Sequence, residues 1–178
     1  MRLPGHAAGG LLVTELLTRV VKPASPAEHW KMLALGTVAG TLPDWDYLYY
    51  LARKRRVTYD SDFRHHTWVT HTFPFYWMLA LLIFLSGLFG KKPGLKKAAA
   101  VVAASTTVHL VQDMFGSGDG IMAFYPISKQ HIGVGLSGLH GREWDQNYVK
   151  TPFYLIELGL IFTAGLTILF KILHRQHE

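Results

Sequence analysis

The chain contains no cysteine and comparatively few charged residues. Of its 178 residues, 17% are charged and 49% are hydrophobic, whereas soluble domains carry about 25% charged residues. The absence of cysteine excludes disulfide bonds and thiolate metal ligands, although it does not fix the redox compartment. No linker rich in proline, glycine and serine divides the chain, so we expect residues 1–178 to form a single domain. This composition favours a membrane protein.

Two familiar sequence signals are also missing. The N-terminal residues do not combine a cationic start, an apolar core and a small-residue cleavage site, so we expect no removable signal peptide. The glycine-rich stretches 116–120 and 133–141 resemble loops that cover a site, but they lack the Gly-Lys-Ser/Thr ending of a phosphate-binding loop. The formal net charge of +6 suits an anionic lipid surface. Because the basic residues are scattered over several loops, nucleic-acid binding is not expected.

Five apolar segments predict an all-α fold, a polytopic membrane bundle of about five membrane-embedded helices. Residues 72–90 and 152–173 approach the roughly 20 apolar residues that cross a hydrocarbon core. Residues 95–115 are long enough, but their lysine, histidine and aspartate side chains need shielding by neighbouring helices. Residues 7–21 and 30–42 are shorter and rich in glycine and alanine, which favours close helix contact. A soluble bundle is the alternative for these three weaker segments.

If each predicted helix crosses the membrane in turn, successive helix ends alternate between two faces. The polar region 43–71 and the loop 116–151 then lie at the same face. Seven histidine and aspartate residues also fall there: His6, Asp44, Asp46, His66, His71, His109 and Asp113. Because hydrophobicity alone assigns the helix ends, this coincidence predicts a polar metal site at one membrane face.

The opposite face carries most of the basic residues of the short connections. They are Arg19, Lys22, Lys31, Lys91, Lys92, Lys96, Lys97, Lys171 and Arg175. The positive-inside rule therefore predicts a multi-pass protein of the cell membrane with a cytoplasmic C terminus and an extracytoplasmic site. The basic run Arg53-Lys54-Arg55-Arg56 lies on the site side and opposes this assignment. That run is either a solvated loop or a contact for a protein partner or anionic lipid.

His109 and Asp113 carry the clearest metal-binding pattern. They are four residues apart in a predicted helix, so one helix face presents an imidazole and a carboxylate to the same point. This pair suits Zn²⁺, Mn²⁺ or Fe²⁺. Asp44 and Asp46 follow the second predicted helix, where one can bind a metal while the other bridges a second ion or orients a ligand. The simpler alternative is that an aspartate caps a helix over 47–52.

The densest cluster of histidines directly precedes an apolar segment. His65, His66 and His71 lie within seven positions and are costly to bury there unless they bind something. We expect His66 and His71 to be ligands and His65 to face elsewhere. Arg64 could hold an anionic group such as phosphate, with a solvated arginine as the alternative. His6, near the start of the first helix, can reach the same cluster.

Four motifs in a fixed order resemble the YdjM-like family, which is described as LexA-binding, inner-membrane-associated metal-dependent hydrolases. The motifs are Gly5-His6, Leu42-Pro43-Asp44-x-Asp46, His66-x-x-x-Thr70-His71-Thr72 and His109-x-x-x-Asp113, with Pro126 further on. The resemblance spans residues 5–126, and the remainder matches only as a loop and a closing helix. It implies an inner-membrane location and a site formed by all seven histidine and aspartate residues.

Three positions depart from the family pattern. Tyr47 stands where the family often has histidine, Thr67 stands where arginine commonly follows the first histidine, and Thr72 replaces serine. The missing arginine leaves Arg64 as the candidate for anion binding. The single His109-x-x-x-Asp113 pair is also distantly similar to the zinc phospholipase C and P1-type nuclease group, which suggests phosphodiester or phospholipid chemistry by analogy.

The sequence thus predicts a membrane-bound metal-dependent hydrolase of an ester or phosphoester, with a lipid or lipid-linked substrate suggested by the position at the bilayer edge. One or two divalent ions, zinc first and manganese or iron next, would activate water. Asp46 would act as the base or orient a ligand, and Arg64 would bind the anion. The alternative is a non-catalytic membrane protein whose site holds a structural metal, handles ions or protons, or serves a regulatory interaction.

Overall fold

The computed structural model describes residues 1–54, 65–116, 118, 120–134 and 141–175. Within these ranges the protein is all-helical, which confirms the all-α part of the predicted fold class but not the five membrane-embedded helices. The only extended pairing there is an isolated antiparallel bridge between Ile121 and Ile132. The helices are α1 (Leu3–Leu17), α2 (Pro26–Ala39), α3 (Asp46–Lys54), α4 (Phe73–Phe89), α5 (Pro93–Gly116), α6 (Gly141–Tyr148) and α7 (Pro152–Arg175). Short 3-10 turns cover Leu42–Trp45, His65–Thr67 and Val69–His71.

All five apolar segments form helices, namely α1, α2, α4, α5 and α7. The other two helices lie where the sequence predicts a polar region and a loop. α3 has nine residues and α6 has eight, and both mix polar with apolar side chains, so neither forms an apolar run. The helix anticipated over 47–52 corresponds to α3, which begins one residue earlier, at Asp46.

Two of the helices, α5 and α7, are long and apolar enough to cross a membrane. In their most apolar stretches, half of the α5 residues are buried within the protein but only 11% of those of α7. α5 packs against α1, α2 and α4, whereas α7 packs against α1. The shielding expected for the polar residues of α5 is therefore provided by three neighbouring helices. α4 is apolar but has 17 residues, about 26 Å of helix against a hydrocarbon core of about 30 Å.

Glycines bring α1 and α2 into backbone contact. A Cβ atom on Gly10 would lie 2.2 Å from the carbonyl oxygen of Gly36 and 2.9 Å from the Cα of Gly40. Oγ1 of Thr14 lies beside the same contact, because a Cβ on Gly36 would be 1.9 Å from it. This contact fixes Gly40, whose carbonyl reaches the candidate site, against the helix that carries His6.

Replacing Gly10 with alanine is expected to destabilise the protein by about 1–3 kcal/mol, because backbone atoms rather than flexible side chains occupy the space. Gly159→Ala in α7 is the matched control, since nothing lies within 4 Å of its Cβ position, and helix propensity predicts an unchanged or slightly higher stability. Denaturant unfolding in detergent micelles measures both variants. Equal stability of Gly10→Ala and the unchanged protein would show that the close α1–α2 contact is wrong.

The segment 120–134 covers the end of α5 next to the site. Its Ile121 and Ala123 are buried in a cluster with Phe73, Tyr76 and Leu110. The backbone N–H of Phe73 donates to the carbonyl of Ala123 at 2.9 Å, so the segment is tied to the first residue of α4. Residues 121–132, which lie between the predicted covering loops 116–120 and 133–141, therefore pack on the start of α4 and the end of α5, and residues 117, 119 and 135–140 of those loops lie outside the described residues.

Candidate metal centre

Four segments of the chain deliver imidazole and carboxylate groups to one point near the end of α5. α1 starts and α5 ends beside the 3-10 turns Leu42–Trp45 and Val69–His71. Six of the seven predicted ligands meet there: His6, Asp44, His66, His71, His109 and Asp113. Their candidate ligand atoms form two groups, and within each group all atoms lie within 4.8 Å of one another.

The first group consists of His6, Asp44, His109 and Asp113. Nε2 of His109 lies 2.9 Å from Oδ2 of Asp113, and Nε2 of His6 lies 3.1 Å from Oδ1 of the same carboxylate. Oδ1 of Asp44 lies 3.7 Å from Nε2 of His109. The two histidines and Asp113 are fully buried, whereas the Asp44 side chain is 17% exposed, so this group opens towards Asp44.

The second group consists of His66, His71 and Asp113. The Nε2 atoms of His66 and His71 lie 3.9 Å and 3.7 Å from Oδ2 of Asp113. Nε2 of His71 is also 3.5 Å from Oδ1 of Asp44. Asp113 therefore belongs to both groups, and its carboxylate lies between imidazoles from three parts of the chain. Such a position suits a carboxylate that binds one ion or bridges two.

The far sides of the imidazole rings have defined hydrogen-bond partners. Nδ1 of His109 lies 2.7 Å from the carbonyl oxygen of Gly40, and this acceptor requires a proton on Nδ1. Nδ1 of His6 lies 2.9 Å from Oε1 of Gln112, and Nε2 of Gln112 in turn donates to the carbonyl of Gly5. Fixing Nδ1 of His109 in this way leaves its Nε2 lone pair free to bind a cation, which is the usual arrangement around metal-binding histidines, whereas Nε2 of His6 also lies 3.1 Å from the carbonyl oxygen of Met1.

The two atoms that His109 and Asp113 direct into the site, Nε2 and Oδ2, are better suited to bind a cation than to pair with each other. Among the described residues, Nε2 of His109 and Oδ2 of Asp113 are buried and make no hydrogen bond, although they are 2.9 Å apart. Such buried polar atoms are costly unless something compensates them. The stacked rings of His6 and His109, with centroids 3.7 Å apart, would repel each other if both were protonated. A divalent ion bound to neutral imidazoles and carboxylates would resolve both conflicts.

The charges around His71 are strongly perturbed. Burial lowers the pKa of His71, but hydrogen bonds with Asp44 and Asp46 outweigh burial and raise the pKa to about 9. Burial raises the pKa of Asp44, whereas the electrostatic effect of the nearby His109 and the hydrogen bond with His71 hold that pKa well below its usual range. Without a metal, the carboxylates therefore recruit a proton to His71, and a cation would compete with that proton.

Asp46 lies behind His71 and outside both groups of candidate ligands. Its Oδ2 is 3.3 Å from Nδ1 of His71 and accepts a hydrogen bond from Oγ1 of Thr70 at 2.6 Å. The side chain is 2% exposed. Asp46, predicted as one of seven metal ligands and as a base or orienter, is therefore placed to orient His71 rather than to bind the ion, while Asp44 faces the ligand groups.

The α-amino group of Met1 also enters the site. Its nitrogen lies 2.9 Å from Oδ1 of Asp113, and the carbonyl oxygen of Met1 lies 3.1 Å from Nε2 of His6. The side chain of Met1 is 4% exposed. These contacts involve the Oδ1 edge of Asp113, whereas the Oδ2 edge faces His66, His71 and His109.

Some predicted residues fall outside the structural description. Arg64, the candidate anion-binding residue, and Arg55 and Arg56 of the basic run lie outside the described residues, as do the side chains of Lys54 and His65. Arg53 is exposed, and its Nη1 donates to the hydroxyl of Tyr49 at 3.1 Å. Anion binding by Arg64 and partner binding by the basic run both stay predictions.

A buried carboxylate that sequence reasoning did not single out supports the start of α1. Glu157, in the second turn of α7, is 2% exposed. It accepts hydrogen bonds from the hydroxyl of Tyr148 at 2.5 Å and from the backbone N–H of Arg2 at 3.2 Å. The Arg2 guanidinium donates to Asp145 of α6 at 2.8 Å and 3.1 Å. The signal in the sequence is a lone glutamate inside an apolar segment, which needs a partner when it is buried.

Removing the Tyr148 hydroxyl is expected to cost about 1.5–3 kcal/mol, because the buried Glu157 carboxylate would lose its strongest donor. Burial and the hydrogen bond with Glu157 both raise the pKa of Tyr148, so the hydroxyl keeps the proton that it donates. Tyr154→Phe is the control for Tyr148→Phe. Both rings lie against the Arg2 guanidinium, with centroids 5.2 Å and 5.7 Å away. Thermal unfolding should separate the two variants, and equal midpoints would refute the assigned network.

The fold and the site together define an all-helical protein with candidate membrane-spanning helices and a buried cluster of histidine and aspartate residues that could hold a metal ion. The model of the YdjM inner membrane protein family matches residues 1–177. This chain therefore belongs to that family of inner membrane proteins, as its motifs predict. No curated protein and no solved structure matches the chain. The likeness to zinc phospholipase C and P1-type nucleases stays a prediction.

Proposed function

We propose that this protein is a membrane-bound metal-dependent hydrolase of an ester or phosphoester. The observation that carries the proposal is the position of Asp113 between two groups of imidazoles, with buried inner atoms that lack hydrogen bonds among the described residues. A donor set of imidazole nitrogens and carboxylate oxygens, with no sulfur, suits Zn²⁺ first and Mn²⁺ or Fe²⁺ next. One ion in each group, with Asp113 between them, would use all six converging residues.

The chain's own residues divide into holding and orienting roles. A bound divalent ion supplies Lewis acidity and makes a water molecule a stronger nucleophile. His6, His109 and Asp113 are buried and hold the interior side of the site. Asp44 and His66 are 17% and 16% exposed, so a substrate would approach from their side. Asp46 and Thr70 would fix the ring of His71, which makes an orienting role for Asp46 more favourable than a direct role as base.

Exposed apolar side chains surround the candidate ligands, and this surface supports an amphiphilic substrate. The turn Leu42–Trp45 and helix α3 leave Trp45, Leu48 and Tyr49 about half exposed, and Val69 beside His71 is 47% exposed. Large apolar side chains at a water-facing surface are unfavourable, but they pack well among lipid headgroups and acyl chains. The site would therefore act on a lipid or lipid-linked ester at the bilayer surface.

The proposed membrane arrangement uses all five apolar helices. α7, α5 and α4 would contact lipid, while α1 and α2, with 15 and 14 residues, would pass beside them within a locally thinner or shielded region. The end of the bundle away from the site is strongly basic, which favours a cytoplasmic C terminus and an extracytoplasmic site. This multi-pass arrangement belongs to the proposal.

The proposal is tested by metal analysis of the purified protein together with hydrolysis assays on phosphodiester and phospholipid substrates. We expect a divalent ion to copurify or to bind tightly after reconstitution, and hydrolysis to stop when a chelator removes it. Tight metal binding without hydrolysis of any ester would favour the second candidate function, a structural metal site. The partial exposure of Asp44 and His66 argues against that alternative, because structural sites are closed by protein ligands.

A further inference from the structure

The end of the bundle opposite the metal centre contains a groove that the proposed hydrolase chemistry does not use. It lies between the end of α1, the start of α2 and the last turns of α7, and it encloses about 880 Å³. His6 and Arg19 mark the two ends along the α1 direction. At 1.5 Å per helical residue, roughly 20 Å separates the groove from the metal centre. The groove is therefore a separate feature of the molecule.

The rim of the groove is cationic, and the carboxylate of Glu15 joins the three helices that form it. Glu15 accepts from Nζ of Lys171 at 2.9 Å, and its other oxygen lies 2.9 Å from Nε2 of His29. This arrangement ties α7 and α2 to α1. Arg19, also on the rim and exposed, has no acidic partner within the described part of the chain. The rim thus presents an unpaired guanidinium beside a fixed ammonium group.

The α7 wall of the groove has two large apolar side chains, and the threonines beside them, Thr163 and Thr167, donate their hydroxyls to backbone carbonyls of α7. Leu166 and Phe170 line it and are 49% and 61% exposed. Both belong to a helix that is long and apolar enough to span a membrane. Trp30 lines the groove from α2, and indole rings are common where a protein meets the membrane interface. The groove therefore combines a cationic rim with an acyl-chain surface directly below it.

The charge around the groove favours an anionic occupant over a zwitterionic one. Eight described basic side chains lie at this end of the bundle: Arg19, Lys22, Lys31, Lys91, Lys92, Lys96, Lys97 and Lys171. The carboxylates among them are Glu15 and Glu28, and Glu28 is already paired with Lys97 at 2.8 Å. Such an excess of positive charge attracts anionic headgroups and repels the choline of a zwitterionic lipid.

We propose that this groove binds an anionic phospholipid. The phosphate lies against Arg19 beside Lys171, and an acyl chain lies along Leu166 and Phe170. The groove differs from a general basic surface because one cavity provides both the unpaired guanidinium and the apolar wall. Its occupant is a structural or regulatory lipid rather than a substrate, since it lies at the end of the bundle away from the candidate metal centre.

The test measures lipid retention by the full chain in detergent micelles with native mass spectrometry. Phosphatidylglycerol and phosphatidylcholine with identical acyl chains are the probes. We expect preferential retention of phosphatidylglycerol and about a fivefold weaker affinity in Arg19→Gln, the fold-change that about 1 kcal/mol per basic side chain represents. Arg19→Lys should retain most of the affinity. Lys92→Gln, which removes an exposed cation of the same face outside the groove, should leave it unchanged.

Three results would overturn the lipid site. Equal retention of the two lipids would show that charge does not select the occupant. Equal loss of affinity in Arg19→Gln and Lys92→Gln, or no loss in either, would show that phosphatidylglycerol does not bind in the groove. Displacement of phosphatidylglycerol by inorganic phosphate or by glycerophosphate, which lacks acyl chains, would reduce the site to an anion site. Metal content should be the same in all these variants.

Discussion

Replacing His109 with alanine is expected to lower the affinity for a divalent ion by more than the roughly 10–100-fold that loss of an outer-shell partner costs. Nε2 of His109 is 2.9 Å from the shared carboxylate of Asp113, and its Nδ1 is fixed by the carbonyl of Gly40. The variant removes both the ligand and this fixed orientation. Hydrolysis should fall to background together with the bound metal. Metal analysis after equilibrium dialysis, with isothermal titration calorimetry, measures the loss.

A matched histidine at the other end of the bundle controls for this change. His174 is exposed in the last turn of α7, so His174→Ala should bind metal as the unchanged protein does. His109 is fully buried, so the fold of the variant must be checked by its elution volume and far-ultraviolet circular dichroism. A folded His109→Ala protein with unchanged metal affinity would show that His109 of α5 is not a metal ligand.

Asp113→Asn is expected to abolish binding in both ligand groups, because it neutralises the one carboxylate that they share. His66→Ala should be milder, since His66 belongs to the second group alone. If two ions bind, the stoichiometry should fall to none in Asp113→Asn and to one in His66→Ala. If one ion binds, Asp113→Asn should still cause the larger loss. Removing one partner from a buried charged cluster also costs about 3–5 kcal/mol of stability.

Asp145→Asn provides the corresponding control for the carboxylate. Asp145 binds Arg2 near the site, and its side chain is 44% exposed, but it belongs to neither ligand group. This variant should keep full metal stoichiometry with at most a small loss of stability, as is usual for exposed ion pairs. Similar metal loss in Asp145→Asn and Asp113→Asn would mean that general charge, rather than coordination, governs the effect.

The convergence of the ligands could be predicted from the sequence because it depends on helix length and alternation. Hydrophobic length places His6 at the start of one helix and His109 with Asp113 near the end of another, and the spacing of four residues puts the latter pair on one face. Both segments form helices, α1 and α5, and the helix ends that carry these residues lie together. Local pattern was sufficient here because the apolar segments form successive helices that pack against one another.

The sequence offers Asp46 both as a ligand beside Asp44 and as a base or orienter, and it does not decide between these roles, because they depend on local geometry and on a distant residue. The 3-10 turn Leu42–Trp45 directs Asp44 towards His109, whereas Asp46 begins α3 and meets Thr70. Two carboxylates two residues apart give no indication in the sequence of which faces the ligand groups. The contact is set by the packing of the segment before α4 against the turn.

The network around Glu157 was missed for a related reason. α6 is short and mixed in polarity, and the residues that Glu157 joins are Arg2 near one end of the chain and Tyr148 near the other. No periodicity relates positions so far apart. An isolated acidic residue in an apolar helix indicates that a partner exists, but only the folded structure identifies it.

The most direct test of the shared site is X-ray absorption spectroscopy at the zinc edge of the zinc-loaded protein. The account predicts nitrogen and oxygen ligands at about 2.0–2.1 Å with outer-shell scattering from imidazole rings, and no such protein-bound zinc signal in His109→Ala after equilibrium dialysis. A spectrum without imidazole scattering, or one that is identical in His109→Ala, would contradict the claim that α1, α5 and the turns before α4 form one metal centre.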